Sequence, residues 1–407
     1  MKFLFIHQNF PAQFKYLAPA LAQVGHDVRA IKRKSSSRSD TKWIQLYEYR
    51  VQRSNATDIH PWALNFESKV IRGEAVFRFC LSLRDEGYAP DVIIAHPGWG
   101  ESLFIKEVWP NTRLKLYCEF FYASKGLDTD FDPEFQSSEP TDNGRIIAKN
   151  ASNLLSLFPA DDFLSPTEWQ ANTFPPSIKD RIEVIHDGID TERLVPADRT
   201  SLMIGEDIRL NESDEIITYV SRSLEPYRGF HMFMRSLPSI LAERPLAKVI
   251  IVGKEPVSYG GSHSSGQSWK KVLLDEIGPL LCESSMNRIF FVGTVNYDVY
   301  LKILQLSDVH VYLTYPFVLS WSLLEAMSVG CAVVASDTGP VKEVVSNGEN
   351  GLLVDFFNRE EISRAVVKVL EERSLRSHLG RAARQLVIGK YDLRTHCLPR
   401  QIAWAEQ

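Results

Sequence analysis

Residues 1–31, MKFLFIHQNFPAQFKYLAPALAQVGHDVRAI, hold a strand, a helix and a second strand in succession. Lys2 to His7 is a short apolar run, and Asp27 to Ile31 is a second one built on Val28 and Ile31. Between them Phe14, Leu17, Leu21 and Val24 recur at spacings of three and four. That spacing predicts a helix over Ala12 to Val24 with one buried stripe, stopped by Gly25. Apolar strands separated by an amphipathic helix mark a parallel βαβ unit, because helices cover both faces of a parallel sheet. The fold class is therefore α/β. The apolar run before His7 is too short for a signal peptide, so the N-terminus reads as a first strand.

The same alternation runs outward from this unit. The first half adds strand candidates at Asp91 to His96, Leu114 to Cys118 and Arg181 to Ile185. The second half restarts with Glu215 to Val220, Lys248 to Val252, Arg288 to Val292, Val309 to Leu313, Ala332 to Ala335 and Leu352 to Val354. Between them, Asp187 to Asp214 carries Gly, Pro, Asp and Glu with little periodicity, as a linker does. The expected organisation is a domain at 1–190, a linker at 191–214, a domain at 215–390 and a terminal helix at 391–407 carrying Leu398, Ile402 and Trp404. Two Rossmann-like, doubly wound domains would face each other across a cleft, where such folds commonly take ligands.

Composition limits the function. A chain of 407 residues with 44% hydrophobic and 24% charged residues folds around a sizeable core. Its 46 Lys and Arg against 51 Asp and Glu leave a net charge of -5, with no basic excess to hold a nucleic-acid backbone. The cysteines Cys80, Cys118, Cys282, Cys331 and Cys397 are scattered without a C-x-x-C pair, which fits reduced thiols in a cytoplasm. No apolar stretch is long enough to span a membrane. Lys32, Arg33, Lys34 and Arg38 form a basic cluster, suited to anionic lipid in peripheral contact with the inner membrane face, to a phosphorylated acceptor, or, as a solvated face, to water. Residues 258–268, SYGGSHSSGQS, read as a mobile loop that could act as a lid.

Two stretches carry chemistry. In YVSRSLEPYRGFHMFM a strand ends at Val220, Arg222 and Arg228 follow, and Gly229 opens a helix at Phe230. Two guanidinium groups beside a helix N-terminus suit a diphosphate; pairing with surface carboxylates such as Glu225 is the alternative. In TYPFVLSWSLLEAMSVGCAVVASDTGPVKEVV, Glu325 lies within an apolar helix beginning near Ser320. It needs a partner, either sugar or ribose hydroxyls or an internal group. Asp128, Asp130 and Asp132 give two D-x-D spacings, which can chelate a divalent metal, although in a loop they read better as an acidic segment that is solvated or faces a substrate.

Together with SPTEWQ, VIHDGID, FVGTV and NGENGLLV, these stretches resemble family 4 glycosyltransferases of the GT-B architecture, most densely from Ser165 to Asp355. The resemblance implies a retaining, metal-independent transfer of sugar from a UDP- or GDP-activated donor to a hydroxyl of a glycan or lipid-linked acceptor, as in bacterial surface polysaccharide synthesis. It requires no cofactor beyond the nucleotide-sugar substrate. It implies a C-terminal helix returning to the N-terminal domain, and it leaves oligomeric state open. Arg222 and Arg228 match the basic pair on the donor diphosphate, and Glu325 the glutamate that takes the ribose. Gly293, Thr294 and Val295 match the segment beside the base; Phe317, Val318, Leu319 and Ser320 match the approach to the phosphate-binding helix.

Three positions depart from the family pattern. Phe317 stands where a carboxylate usually grips the donor sugar. Asn9, Phe10, Pro11, Ala12 and Gln13 replace a glycine pair that approaches the donor. Glu119 stands where many relatives have a histidine, which leaves Glu119 and His96 as alternatives for handling the acceptor hydroxyl. Trp62, Trp99, Phe120, Phe121 and Tyr122 could stack on an acceptor or belong to the core. The rival readings are a nucleotide-sugar epimerase or phosphorylase, and a non-catalytic sugar-nucleotide-binding protein.

Overall fold

The computed structural model describes residues 1–35, 42–136, 141–197, 200–205 and 208–407; Arg38 of the basic cluster lies outside them. It divides into two units, one of Met1–Gly188 with Leu393–Gln407 and one of Ile189–Asp392.

The first unit is built on seven parallel strands, β1 (Lys2–Ile6), β2 (Asp27–Arg33), β3 (Gln45–Tyr49), β4 (Val92–Ala95), β5 (Arg113–Tyr117), β6 (Asp162–Ser165) and β7 (Ile182–Val184). Their order is β3-β2-β1-β4-β5-β6-β7. The winding reverses between β1 and β4, so the carboxyl ends of these two strands form the switch point where such sheets take ligands. Side chains alternate across β1: Phe3 and Phe5 pack with Phe14, Leu21 and Val28 on one face, Leu4 and Ile6 with Ile31, Val76 and Ile93 on the other. Sequence reading misses β3, an edge strand with one buried residue, and β6, which has four residues.

The helix expected over Ala12 to Val24 forms only over Leu17–Gln23, after a single 3-10 turn at Ala12–Phe14. Pro19 explains the break, because a helix running from Ala12 would drive its ring into the carbonyl of residue 15. The C-terminal helix Leu398–Glu406 belongs to the first unit, as expected. Trp404 is 4% exposed and packs in the Phe3–Leu21 core, while Gln401 Nε2 donates to the His186 carbonyl at 2.9 Å.

In the second unit the hairpin β8 (Ser201–Ile204) and β9 (Ile208–Asn211) lies within the stretch read as a linker. Its inward residues Leu202 and Leu210 pack on Ile216 and Ile250, which ties this stretch to the unit that follows. Then come six parallel strands, β10 (Glu215–Ser223), β11 (Ala247–Lys254), β12 (Ile289–Gly293), β13 (Val309–Tyr312), β14 (Ala332–Ser336) and β15 (Leu352–Val354). Their order, β12-β11-β10-β13-β14-β15, reverses between β10 and β13. Among the described residues, no helix is long and apolar enough to cross a membrane.

Trp404→Ala is expected to cost about 3–5 kcal/mol in the unfolding of the first unit, read by denaturant titration. Burial pushes His7 and His186 down to about 3 and His310 down to about 4. Because the unfolded chain takes up these protons at higher pH than the folded one, stability falls as pH drops below 6.5. Each such histidine should remove about 2 kcal/mol between pH 7 and pH 5. Denaturation midpoints that stay constant over that range would contradict this burial.

Candidate functional site

At the switch point of the second unit, β10 ends in Arg222 and Ser223, and a 3-10 turn, Pro226–Arg228, leads to the helix Phe230–Glu243. Gly229 makes the turn possible: its φ is +68°, and a Cβ there would meet Leu313 Cβ at 2.2 Å. Glu225, the carboxylate that might have neutralised these arginines, is 1% exposed and turned to backbone. Its oxygens accept the N–H groups of Ser258 at 3.0 Å, Tyr259 at 3.2 Å and Gly260 at 3.0 Å. The same contacts, with a Ser223–Ser258 hydroxyl pair at 2.6 Å and Trp269 Nε1 donating to Gly261 O at 3.0 Å, tether the loop read as a lid.

Among the described residues neither arginine makes an ion pair. Arg222 is exposed and donates only to Tyr259 Oη, at 3.3 Å. Arg228 is 6% exposed; its Nη1 donates to Thr314 Oγ1 at 2.8 Å and to Val318 O at 3.1 Å. Its Nε and Nη2 have no acceptor among the described residues. The guanidinium carbon lies 5.5 Å from the Tyr259 ring and 5.8 Å from the Phe317 ring. Phe317 is buried beside Tyr227 and Tyr259, so an aromatic wall stands where the resemblance places a carboxylate. Val318 and Leu319 are buried with it.

Ser320 caps the helix Trp321–Ser328 and donates its own N–H to Tyr312 Oη at 2.9 Å. Inside that helix Glu325 takes internal partners: Tyr297 Oη donates to Oε1 at 2.9 Å and Tyr300 Oη to Oε2 at 2.8 Å. Each oxygen keeps a lone pair for a further donor. Gly293, at φ +65°, and Thr294 and Val295 continue from β12 towards the Tyr297–Gln305 helix.

At the switch point of the first unit, His7 directly follows β1 and His96 directly follows β4, and Glu119 lies two residues beyond the neighbouring β5. The two residues read as alternatives form a pair: His96 Nε2 is 3.4 Å from Glu119 Oε2, an electrostatic contact without good hydrogen-bond alignment. Gln13 Nε2 donates to Glu119 Oε1 at 2.9 Å, so the loop 9–13 positions this carboxylate. Ala12 stands at φ +40°, a left-handed conformation that favours glycine, so the loop keeps glycine-like backbone without the residue. Pro11 is half-buried beside it.

The Gly98 N–H donates to His96 Nδ1 at 3.0 Å, which leaves the neutral ring's proton on Nε2. Tyr117 stacks on the His96 ring at 5.8 Å and is fixed by Asp187, which accepts its hydroxyl at 2.9 Å. Burial alone would raise the Glu119 carboxyl, but the facing His96, the Gln13 amide and nearby His7 outweigh it and hold the carboxyl below its ordinary value. The side chain stays 29% exposed, an ionised hydrogen-bond acceptor open to solvent. His7 is the residue that sequence reading passed over. Its ring meets His96 edge-on at 5.5 Å, and only its place at the end of β1 marked it. In the D-x-D loop Asp130 accepts the Gly126 N–H at 2.9 Å and Asp132 that of Glu134 at 3.0 Å, while Asp128 and Asp132 are each 4% exposed, buried where a solvated segment was expected.

Residues 24–194 match the family described as glycosyl transferase family 4 group, and residues 204–386 match glycosyl transferases group 1. An uncharacterised glycosyltransferase of Methanocaldococcus jannaschii is 30% identical over 314 residues, 73% of this chain and 70% of that protein. Sucrose-phosphate synthase from Thermosynechococcus elongatus shares the fold at a TM-score of 0.71, with 16% identity over 100% of this chain and 98% of that one. Anabaena HepE, solved in complex with UDP and glucose, does so at 0.66, with 18% identity over 99% and 98%. With two switch-point α/β units, this chain belongs to the family 4 glycosyltransferases of the GT-B architecture.

Proposed function

We propose that this glycosyltransferase takes a sugar from a UDP- or GDP-activated donor and passes it, with retention of anomeric configuration, to a hydroxyl of a glycan or lipid-linked acceptor. The observation that carries the donor reading is the pair Arg222 and Arg228. Two guanidinium groups without a carboxylate partner among the described residues, at a sheet's switch point, supply the charge a diphosphate needs. As the bond from the anomeric carbon to the diphosphate oxygen breaks, negative charge grows on the leaving group. Donors already oriented there stabilise that state more than the ground state. The diphosphate is then neutralised by the protein alone, without a metal ion.

Glu325 serves the ribose through its remaining lone pairs, Gly293, Thr294 and Val295 flank the base, and Phe317, Val318, Leu319 and Ser320 line the approach to the phosphates. In the first unit Glu119 accepts the hydrogen bond of the acceptor hydroxyl, with His96 behind it as a positioning residue. Pro11, Ala12 and Gln13 hold the carboxylate in place and approach the donor.

Hydrolysis and transfer from UDP- and GDP-sugars, assayed in chelator, test this reading. A nucleotide sugar consumed without metal, giving a product of the donor's own anomeric configuration, is expected. Turnover only with added divalent ion, or inverted product, would sink the metal-free retaining mechanism. Arg222→Ala should lower kcat/KM by about 2–4 kcal/mol of transition-state stabilisation while melting normally, since the side chain is exposed. Glu119→Gln should reduce kcat by about a hundredfold or more with nucleotide affinity unchanged. An equal loss of nucleotide binding would refute the acceptor role.

A further inference from the structure

Lys69 is 5% exposed, yet its ammonium makes no hydrogen bond or ion pair among the described residues. It projects from the Leu64–Asp85 helix one turn before Arg72, whose Nε donates to Trp99 O at 2.7 Å and whose two Nη groups have no acceptor there. Lys149, from the Asp142–Lys149 helix, lies 3.5 Å over the Tyr122 ring and also lacks an ion pair. Burial first, then Lys149 and Arg72, push the Lys69 ammonium down to about 8; burial does the same to Lys149 despite the pull of Asp128. A buried charge normally has a partner, because leaving water without one is costly. Among the described residues none of the three makes an ion pair, and Arg72 and Lys149 are only partly buried, so an anion from outside can reach the cluster.

We propose that Lys69, Arg72 and Lys149 bind a phosphate group carried by the acceptor. Cationic donors from two helices suit the three terminal oxygens of a phosphomonoester better than the two of a carboxylate. Glu101, near Arg72, is buried and accepts from Tyr49 Oη at 2.6 Å; burial raises its carboxyl while Tyr49 and Arg72 pull it down. The cluster adjoins the Glu119 and His96 pair through Trp99, whose ring lies 5.9 Å from that of His96, and through Tyr122, three residues after Glu119. A phosphate held here fixes the acceptor while its hydroxyl meets Glu119. The inference rests on reading the first unit as the acceptor side.

The test is calorimetric titration of inorganic phosphate into the full chain already saturated with UDP, beside a glucuronate arm and separate UDP titrations. One phosphate is expected to bind, weakened about tenfold or more by Lys69→Met or Arg72→Gln, with UDP affinity unchanged in both. Without phosphate, Lys69→Met should melt no lower than the parent, since it removes an unpaired buried charge. If it melts far lower, Arg72→Gln decides: normal melting with phosphate lost sustains the proposal, and phosphate retained overturns it. Equal phosphate affinity in Lys69→Met and the parent, no phosphate binding at all, or glucuronate binding in its place would each overturn it. Absent UDP heat would instead mark failure of the donor reading.

Discussion

A strand flanked on both sides by parallel neighbours whose crossovers lead away in opposite directions has no connection roofing its carboxyl end. Both units of this chain contain that constraint, at β1 and β4 and again at β10 and β13. Whatever residues follow those strands are presented to a ligand by topology alone. His7 and His96 occupy such positions in the first unit, with Glu119 just beyond the neighbouring β5, and Arg222 to Gly229 in the second. The buried apolar strands fix these ends rigidly, so the chemistry rests on a scaffold that does not itself take part.

What distinguishes the two open ends is how charge is partnered. In the second unit Glu225 is occupied by the backbone of the 258–260 segment, which leaves Arg222 and Arg228 without a carboxylate among the described residues. Had Glu225 faced either arginine, its charge would have been cancelled within the protein. In the first unit the logic is inverted: Glu119 is kept ionised by His96 and Gln13 but stays accessible. One end offers cations and the other an ionised acceptor oxygen, as the proposed transfer needs. Lys69, Arg72 and Lys149 extend the first pattern to a third place.

Much of this was legible in the amino-acid order. The alternation of apolar runs and amphipathic helices was enough for the α/β class, and R-x5-R-G after a strand was enough to find the arginine turn. Other features depend on tertiary partners and leave no local signal. Glu325 is sequentially among leucines, and only the fold brings Tyr297 and Tyr300 to it. Glu119 and His96 read as rivals because neighbouring strands place side by side residues that are distant in sequence. The boundary of the second unit was obscured because a hairpin rich in polar residues resembles a linker until Leu202 and Leu210 are seen to pack inward. Lys69 showed nothing at all, since a lysine on a helix is ordinarily solvated.

The most direct measurement is a crystal structure of the protein soaked with UDP in the presence of chelator. The account predicts the diphosphate within hydrogen-bond reach of Arg222 and of the free Nε and Nη2 of Arg228, with the ribose hydroxyls directed to Glu325. Nucleotide bound elsewhere, or a diphosphate held without contact to either arginine, would contradict it.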